Sequence, residues 1–432
     1  MSVIAHPSRR GFLSLTAGVG AMSAGAAMAK DTPPLPRRPN ISADDLATNE
    51  AYWSRIADQY AVTPEITNIE NGYWGIMAAP VMRAYQARTE QVNRDNTHYA
   101  RGAYGEDMTK VYARLATFLG VAPDELLLTR GASEALQNLI GGYNKLKPGD
   151  AVLYADLDYG AMKSAMQWLA DRRGVEVIKI NLPEPATREN IVEAYADAFT
   201  AHPNLKMTLV THLNNLTGLI HPVKDITALA KARGIDIILD SAHALGQIDF
   251  DLPSLGADFV GINLHKWIGA PIGCGLLYIR KPRIPDIDRY MNEPGAEDNI
   301  RARAHTGTLN FAAHLTIPDA LDFHEAIGIT AKEARLRYLR NQWVSDARNI
   351  SGIDILTPDD PSMVAALTSF RFKNRITTQE NNALVRELSE NHGIFTVRRT
   401  GPAAGDCIRV TPALYNSPTD MARFGKALRA LS

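Results

Sequence analysis

The chain has 432 residues with 46 basic and 47 acidic side chains, a formal net charge of −1, and two cysteines. That length exceeds one small domain, and the balanced charge gives no basic footprint for nucleic acid or an anionic membrane surface. Cys274 and Cys407 form no C-x-x-C spacing, which excludes a disulfide framework and a zinc signature.

The first 29 residues read as a targeting segment. Arg9-Arg10 precede Phe12 and Leu13, a Gly/Ala-rich run follows, and Ala27-Met28-Ala29 has the small-x-small form of a cleavage site. This pattern resembles a twin-arginine export signal, with the twin-arginine machinery as partner and the periplasm as destination. Its apolar run is too short and too Gly-rich for a stable span, so no permanent membrane anchor is expected. Twin-arginine export carries proteins that have already folded.

Residues 30–45 are Pro-rich and polar and read as a linker. A helical pattern starts near Asn49, and ITNIENGYWGIMAAPVMRAY predicts an extended piece, a Gly turn and a helix near Pro80. Beyond Asp95 strand and helix signals alternate. The predicted strands are ELLLT, DAVLYAD, VEVIKIN, MTLVTHL, DIILD, DFVGIN and CGLLYIR, with helices such as SEALQNLIGGYNKL and AMKSAMQWLADRRG between them. Near-continuous apolar strands separated by helices predict an α/β fold with a mostly parallel seven-stranded sheet covered on both faces. From about Ile317 long amphipathic helices flank SFRFK, IFTVRR and CIRVTPAL, which predicts a smaller α+β domain. The expected boundaries are 1–29 for the signal, 30–95 for linker and N-terminal segment packing on the small domain, 96–320 for the large domain and 321–432 for the small one.

Ligands of open parallel sheets sit beyond the carboxyl ends of the strands. Two apolar runs between Ile235 and Arg280 end in polar residues, the first in Asp240 and the second, 26 residues later, at His265-Lys266. A strand-end Lys and a strand-end Asp meet the two demands of pyridoxal 5'-phosphate. The amine forms a Schiff base with the aldehyde, and the carboxylate keeps the pyridine nitrogen protonated so that the ring accepts electrons. Thr129-Arg130-Gly131-Ala132-Ser133-Glu134-Ala135 joins a strand to a helix whose N-terminus offers N–H groups to a phosphate. In isolation it is an ordinary strand–helix turn. Tyr159 ends the next strand and is placed either flat on the pyridine ring or in the core. Asn214-Asn215 end another, where Asn is also a common turn residue.

The carriers GASEA, HLNNLTG, DSAH, NLHKWIGAPIGCGLLY, HTGTLNF and RVTPALYN together resemble the class V branch of fold-type I pyridoxal-phosphate enzymes, from about Asn68 to the C-terminus. The resemblance implies a small-molecule amino substrate and assigns the catalytic roles to Lys266 and Asp240. It implies cofactor contacts from Ala132, Ser133, Tyr159, Asn215, His243, Asn263 and His265. Thr308 of the Gly307-Thr308 pair would reach the phosphate of a neighbouring subunit, so a homodimer with shared active sites is implied. Arg409 would clamp the substrate α-carboxylate through its bidentate fork, with Asn71 and Gly72 in the segment that closes over the substrate. Cysteine desulfurases of this family carry a nucleophilic Cys on a loop before the Arg-containing strand. Here Cys407 stands inside the apparent strand, which suits a packed thiol. DLDYGAM, RRTGPAA and ENGYWG look most like the isopenicillin N epimerase-like branch. The expected activity is chemistry at the Cα of an amino acid or amino-containing metabolite through an external aldimine. No second base is visible, which ranks an aminotransferase ahead of an epimerase or racemase. Tailoring of a secreted metabolite, such as a siderophore side chain, and a catalytically silent exported binding protein stand as alternatives.

Overall fold

The computed structural model describes residues 33–305 and 307–432. The expected export signal lies outside the described residues. Along the chain the strands are β1 (Thr67–Asn68), β2 (Leu126–Thr129), β3 (Ala151–Ala155), β4 (Glu176–Ile180), β5 (Leu205–Thr211), β6 (Asp236–Ser241), β7 (Phe259–Asn263) and β8 (Gly275–Ile279). They continue with β9 (Ile353–Ile355), β10 (Thr368–Phe372), β11 (Ile394–Phe395), β12 (Val397–Arg399) and β13 (Cys407–Val410).

Strands β2 to β8 form one seven-stranded sheet in the order β2-β8-β7-β6-β5-β3-β4. Only β8 runs against its neighbours β2 and β7. Each of the seven apolar runs became one of these strands, and all but the edge strand β4, where Glu176 and Lys179 are exposed, are buried on both faces. Leu126, Leu128, Ile237, Leu239, Val260 and Ile262 join one core, while Leu127, Ile238, Phe259 and Leu277 join the core on the other face. Successive side chains of a strand point to opposite faces, so only a sheet covered twice accepts such runs. Full burial of one Leu, Ile or Phe side chain contributes about 1.5–3 kcal/mol.

The second sheet has four antiparallel strands in the order β12-β13-β10-β9. Its own core gathers Trp343, Phe370, Leu388 and Phe424 under the helices Ile329–Arg348, Thr378–His392 and Pro418–Leu431. Two of these helices open with capping boxes, Thr377 with Glu380 and Ser417 with Asp420. IFTVRR, expected as one strand, divides at Thr396. β11 pairs in parallel with β1, whereas β12 pairs with β13. The N-terminal segment thereby crosses onto this sheet, and Glu70 bridges Thr411 directly beyond β13. The helix Ala79–Arg101 passes through residue 95 and breaks its helical geometry at Asn96.

Candidate active site

The carboxyl ends of β2, β3, β5, β6 and β7 deliver Ala132, Ser133, Tyr159, Asn215, Asp240, His243, Asn263, His265 and Lys266 to one cavity of about 480 Å³. Gly72, Tyr73, Arg399 and Arg409 form its opposite wall. The segment carrying Gly72 is pressed onto the lysine loop, for Gly75 N–H donates to His265 O at 2.9 Å and a Cβ at Gly75 would lie 1.8 Å from Lys266 O. No other residue type fits there.

Lys266 is half-buried just beyond the end of β7. Burial and the Arg409 charge pull its amine down to about 7, against the opposing pull of Asp240. An amine in that range is an available nucleophile near neutral pH. Its Nζ lies 2.7 Å from His243 Nε2. Trp267 Nε1 donates to His243 Nδ1 at 3.4 Å, which places the ring proton on Nε2, facing the lysine. Burial and the nearby Lys266 charge hold His243 well below the usual histidine range, so the ring is neutral.

Asp240 takes one N–H bond, from Ala242 to Oδ1 at 3.0 Å. Burial pushes its carboxyl up, against that bond and the Lys266 charge. Among the described residues it has no ion-pair partner within contact distance. A buried acid left without a cation is costly, and a protonated pyridine nitrogen would supply one.

A cradle for an anion sits at the other end of the cavity. Gly131 carries no side chain there, and a Cβ would come within 3.3 Å of Asn263 Oδ1 and His265 Cε1. The first-turn N–H groups of helix Ala132–Gly142 open beside it, with Ser133 exposed on that turn. The Ala132 N–H, expected as a direct phosphate contact, instead donates to Asn263 Oδ1 at 2.7 Å. Asn263 therefore fixes the turn. His265 Nδ1 donates to Cys274 O at 2.8 Å, so Nε2 can donate to a phosphate only when the ring is protonated. These groups fit pyridoxal 5'-phosphate: an amine for its aldehyde, an acid for its ring nitrogen and a cradle for its phosphate.

Asn214 builds the turn after β5 by accepting from Leu216 N at 2.8 Å and Thr217 N at 2.9 Å. That leaves Asn215 to line the cavity. Tyr159 stands 43% exposed at the mouth. Its loop is held by Asp158, which accepts from Thr211 Oγ1 at 2.6 Å and from Ala155 N at 2.7 Å. Burial pushes the Asp158 carboxyl up to about 7.

Three expected residues stand elsewhere or are otherwise engaged. Asn71 does not line this cavity. Its amide donates to Thr411 O at 2.9 Å and accepts from Tyr415 Oη at 2.7 Å, which ties the N-terminal segment to the small domain. Thr308 is exposed and does not line the cavity of its own chain. Arg409 does line it, but its fork is occupied. Nε donates to Glu70 Oε2 at 3.0 Å, Nη2 to Glu70 Oε1, and Nη1 to Asn215 O at 2.8 Å. The expected clamp on a substrate carboxylate is thus filled by a carboxylate of the same chain.

Glu70 and Arg399 are site residues that the sequence reading passed over. Arg399 pairs across the ladder with Cys407, and Val397 with Arg409. Alternation then puts Arg399 and Arg409 on one face, a relation visible only once the register of β12 and β13 is known. Both thiols are buried and pushed up to about 12 by burial. Cys407 Sγ lies 3.9 Å from Leu216 O and does not line the cavity, as its in-strand position predicts.

The sequence pattern of the family described as aminotransferase class-V matches residues 78–424. Isopenicillin N epimerase of Amycolatopsis lactamdurans is 26% identical over 405 residues, covering 88% of this chain and 98% of the relative. The enzyme of the same name from Streptomyces clavuligerus is 26% identical over 407 residues, covering 88% and 99%. Among solved structures, the apo cysteine desulfurase of Thermococcus onnurineus NA1 superimposes with a TM-score of 0.75 at 19% identity, covering 87% of this chain and 97% of its own. A C-DES mutant with glycine covalently linked to its PLP cofactor gives 0.75 at 19% identity, covering 86% and 98%.

Proposed function

Because the chain belongs to the class-V aminotransferase family, and is a pyridoxal-phosphate enzyme, we propose that it is an aminotransferase acting at the Cα of an amino acid or amino-containing metabolite. Bound in this cavity, the cofactor supplies an aldehyde that takes the substrate amine and a ring that accepts the electrons released at Cα. Asp240 holds the proton on the ring nitrogen. His243 Nε2–H lies beside Lys266 Nζ and orients it. Lys266 Nζ would take the proton from Cα and deliver it, on the same face, to the carbon that was the aldehyde, a one-base transfer.

The observation that carries this reading is that one mobile base faces the cavity. Lys266 has a proton affinity near neutrality. Of the other carboxylates and imidazoles of the wall, Asp240 is reserved for the ring nitrogen, Glu134 is paired with Arg130 at 2.7 Å, His243 lies against Lys266 and His265 Nδ1 donates to Cys274 O. Epimerisation needs a second base on the opposite face. Similarity to two isopenicillin N epimerases supports it as the second reading, with Tyr159 or Tyr73 as the groups positioned to act.

The holoenzyme incubated with a panel of amino acids separates the two. Transamination leaves an amino form of the cofactor and an oxo acid, followed by visible absorption and product mass. Solvent-deuterium incorporation at Cα with inversion and no oxo acid would establish epimerisation instead. The Arg9-Arg10 motif supports export of the folded holoenzyme, and replacement of both arginines by Lys should then retain active enzyme in the cytoplasm. Unchanged periplasmic recovery would overturn export. The position of Thr308 outside its own cavity supports its use by a second copy in a homodimer.

A further inference from the structure

Resting on the reading of an amino substrate, we propose that Arg399, rather than Arg409, receives the substrate's carboxylate, and that Glu70 is a built-in carboxylate holding Arg409 closed. Arg409 is sealed. Its side chain is 1% exposed and that of Glu70 is 3% exposed, whereas Arg399 is 25% exposed toward the cavity. Gly72 covers the face of the Arg409 guanidinium, where a Cβ would come within 2.7 Å of Cζ and Nη2. Glu70 is itself anchored from behind by Thr411 Oγ1 at 3.0 Å and by its bridge to Thr411. A group held by two fork bonds, a hydroxyl and its own backbone is a fixture of the wall.

Arg399 is the opposite case. Among the described residues its one polar contact is Nη2 donating to Glu70 Oε1 at a long 3.5 Å, and its buried Nε has no partner. A buried donor without an acceptor is costly and calls for one. Two guanidinium groups share one carboxylate here, which leaves one positive charge on this wall for one further anion. Burial and the Arg409 charge pull Arg399 down to about 10, so it stays protonated at neutral pH. The groups facing it are Arg409 and Cys407 on the same face, Tyr159 across the mouth, and Glu70, whose carboxylate is already taken by Arg409. The compound that fits is an amine whose carboxylate reaches toward the mouth and the fork of Arg399.

Succinate, a carboxylate without an amine, probes this without turnover. Its Kd for the holoenzyme is measured by calorimetry at low ionic strength, with the visible cofactor spectrum and melting profile as controls of folding. Arg399→Gln should weaken binding by at least about tenfold, the loss of one charge-assisted pair. Arg399→Lys, which keeps the charge and the volume but loses the fork, should fall between the two. Glu70→Gln should tighten binding and should restore it in the Arg399→Gln background, because Arg409 is then released. An unchanged Kd in both Arg399 variants would overturn the proposal and show that Glu70 swings away to free Arg409. Absence of succinate binding to wild type would overturn it as well. Neither result depends on whether the reaction is transamination, since the probe cannot react.

Discussion

The two walls of the cavity treat charge in opposite ways. On the large-domain wall Asp240 has, among the described residues, one N–H bond and no paired cation, Lys266 has a neighbouring imidazole, and Gly131 leaves a cradle beside a helix N-terminus. These groups are incomplete without a ligand. On the small-domain wall Glu70 and Arg409 complete each other, and Arg399 is left short of a partner among the described residues. A wall built for a permanent cofactor can leave its polar groups open, since the cofactor is present whenever the enzyme works. A wall that meets an exchangeable substrate is empty between turnovers, and an unpaired buried guanidinium there would cost several kcal/mol. Self-neutralisation removes most of that cost.

The comparison is broken most sharply at Lys266. Lys266→Ala should abolish both turnover and the borohydride-reducible attachment of the cofactor. A reduced pyridoxyl group found by mass spectrometry on another lysine would show that the large-domain wall has been misread. Asp240→Asn removes the charge while keeping the shape. It should cost about 3–4 kcal/mol in kcat/KM, roughly two to three orders of magnitude, and weaken cofactor retention. Activity within tenfold of wild type would mean that the open carboxylate does not serve the ring.

A gentler test uses pH. The Lys266 amine is held down to about 7 by burial and Arg409. It is protonated below that value and free above it. The rate at which apoenzyme recaptures the cofactor should therefore climb through pH 7 and level off above 8, a change on the order of tenfold. A flat rate from pH 6 to 9 would place the amine's titration elsewhere. The smallest effect is expected at Cys407, which shares the Arg399–Arg409 face but is packed away from the cavity. Cys407→Ala should leave kcat/KM unchanged and lower stability by about 1 kcal/mol. A loss of activity beyond tenfold in a folded variant would give the small-domain wall a chemical role for this thiol.

The seven strands of the large sheet were legible because each is a short apolar run, buried on both faces in all but the edge strand β4, and such a run is a local property. β9 was not legible: three residues, Ile-Asp-Ile, are too few to show a period. The division of IFTVRR was hidden for a different reason, since either half alone reads as extended and only the partner strands decide where each belongs. Asn71 was expected to face the substrate, and its amide was taken instead by Thr411 and Tyr415, some 340 positions along the chain.

What the sequence determined by itself was the large-domain wall. Lys266, Asp240, Asn263 and the Gly131 turn follow strand ends within one continuous βα stretch, and hydrophobic periodicity locates such ends. What only the tertiary structure decided was the state of Arg409. Its partner Glu70 lies 339 positions away, brought there by a two-residue parallel pairing of β1 with β11 and a single bridge to Thr411. An ion pair acts over a few ångströms regardless of separation along the chain. No local pattern of residues records which carboxylate will arrive there.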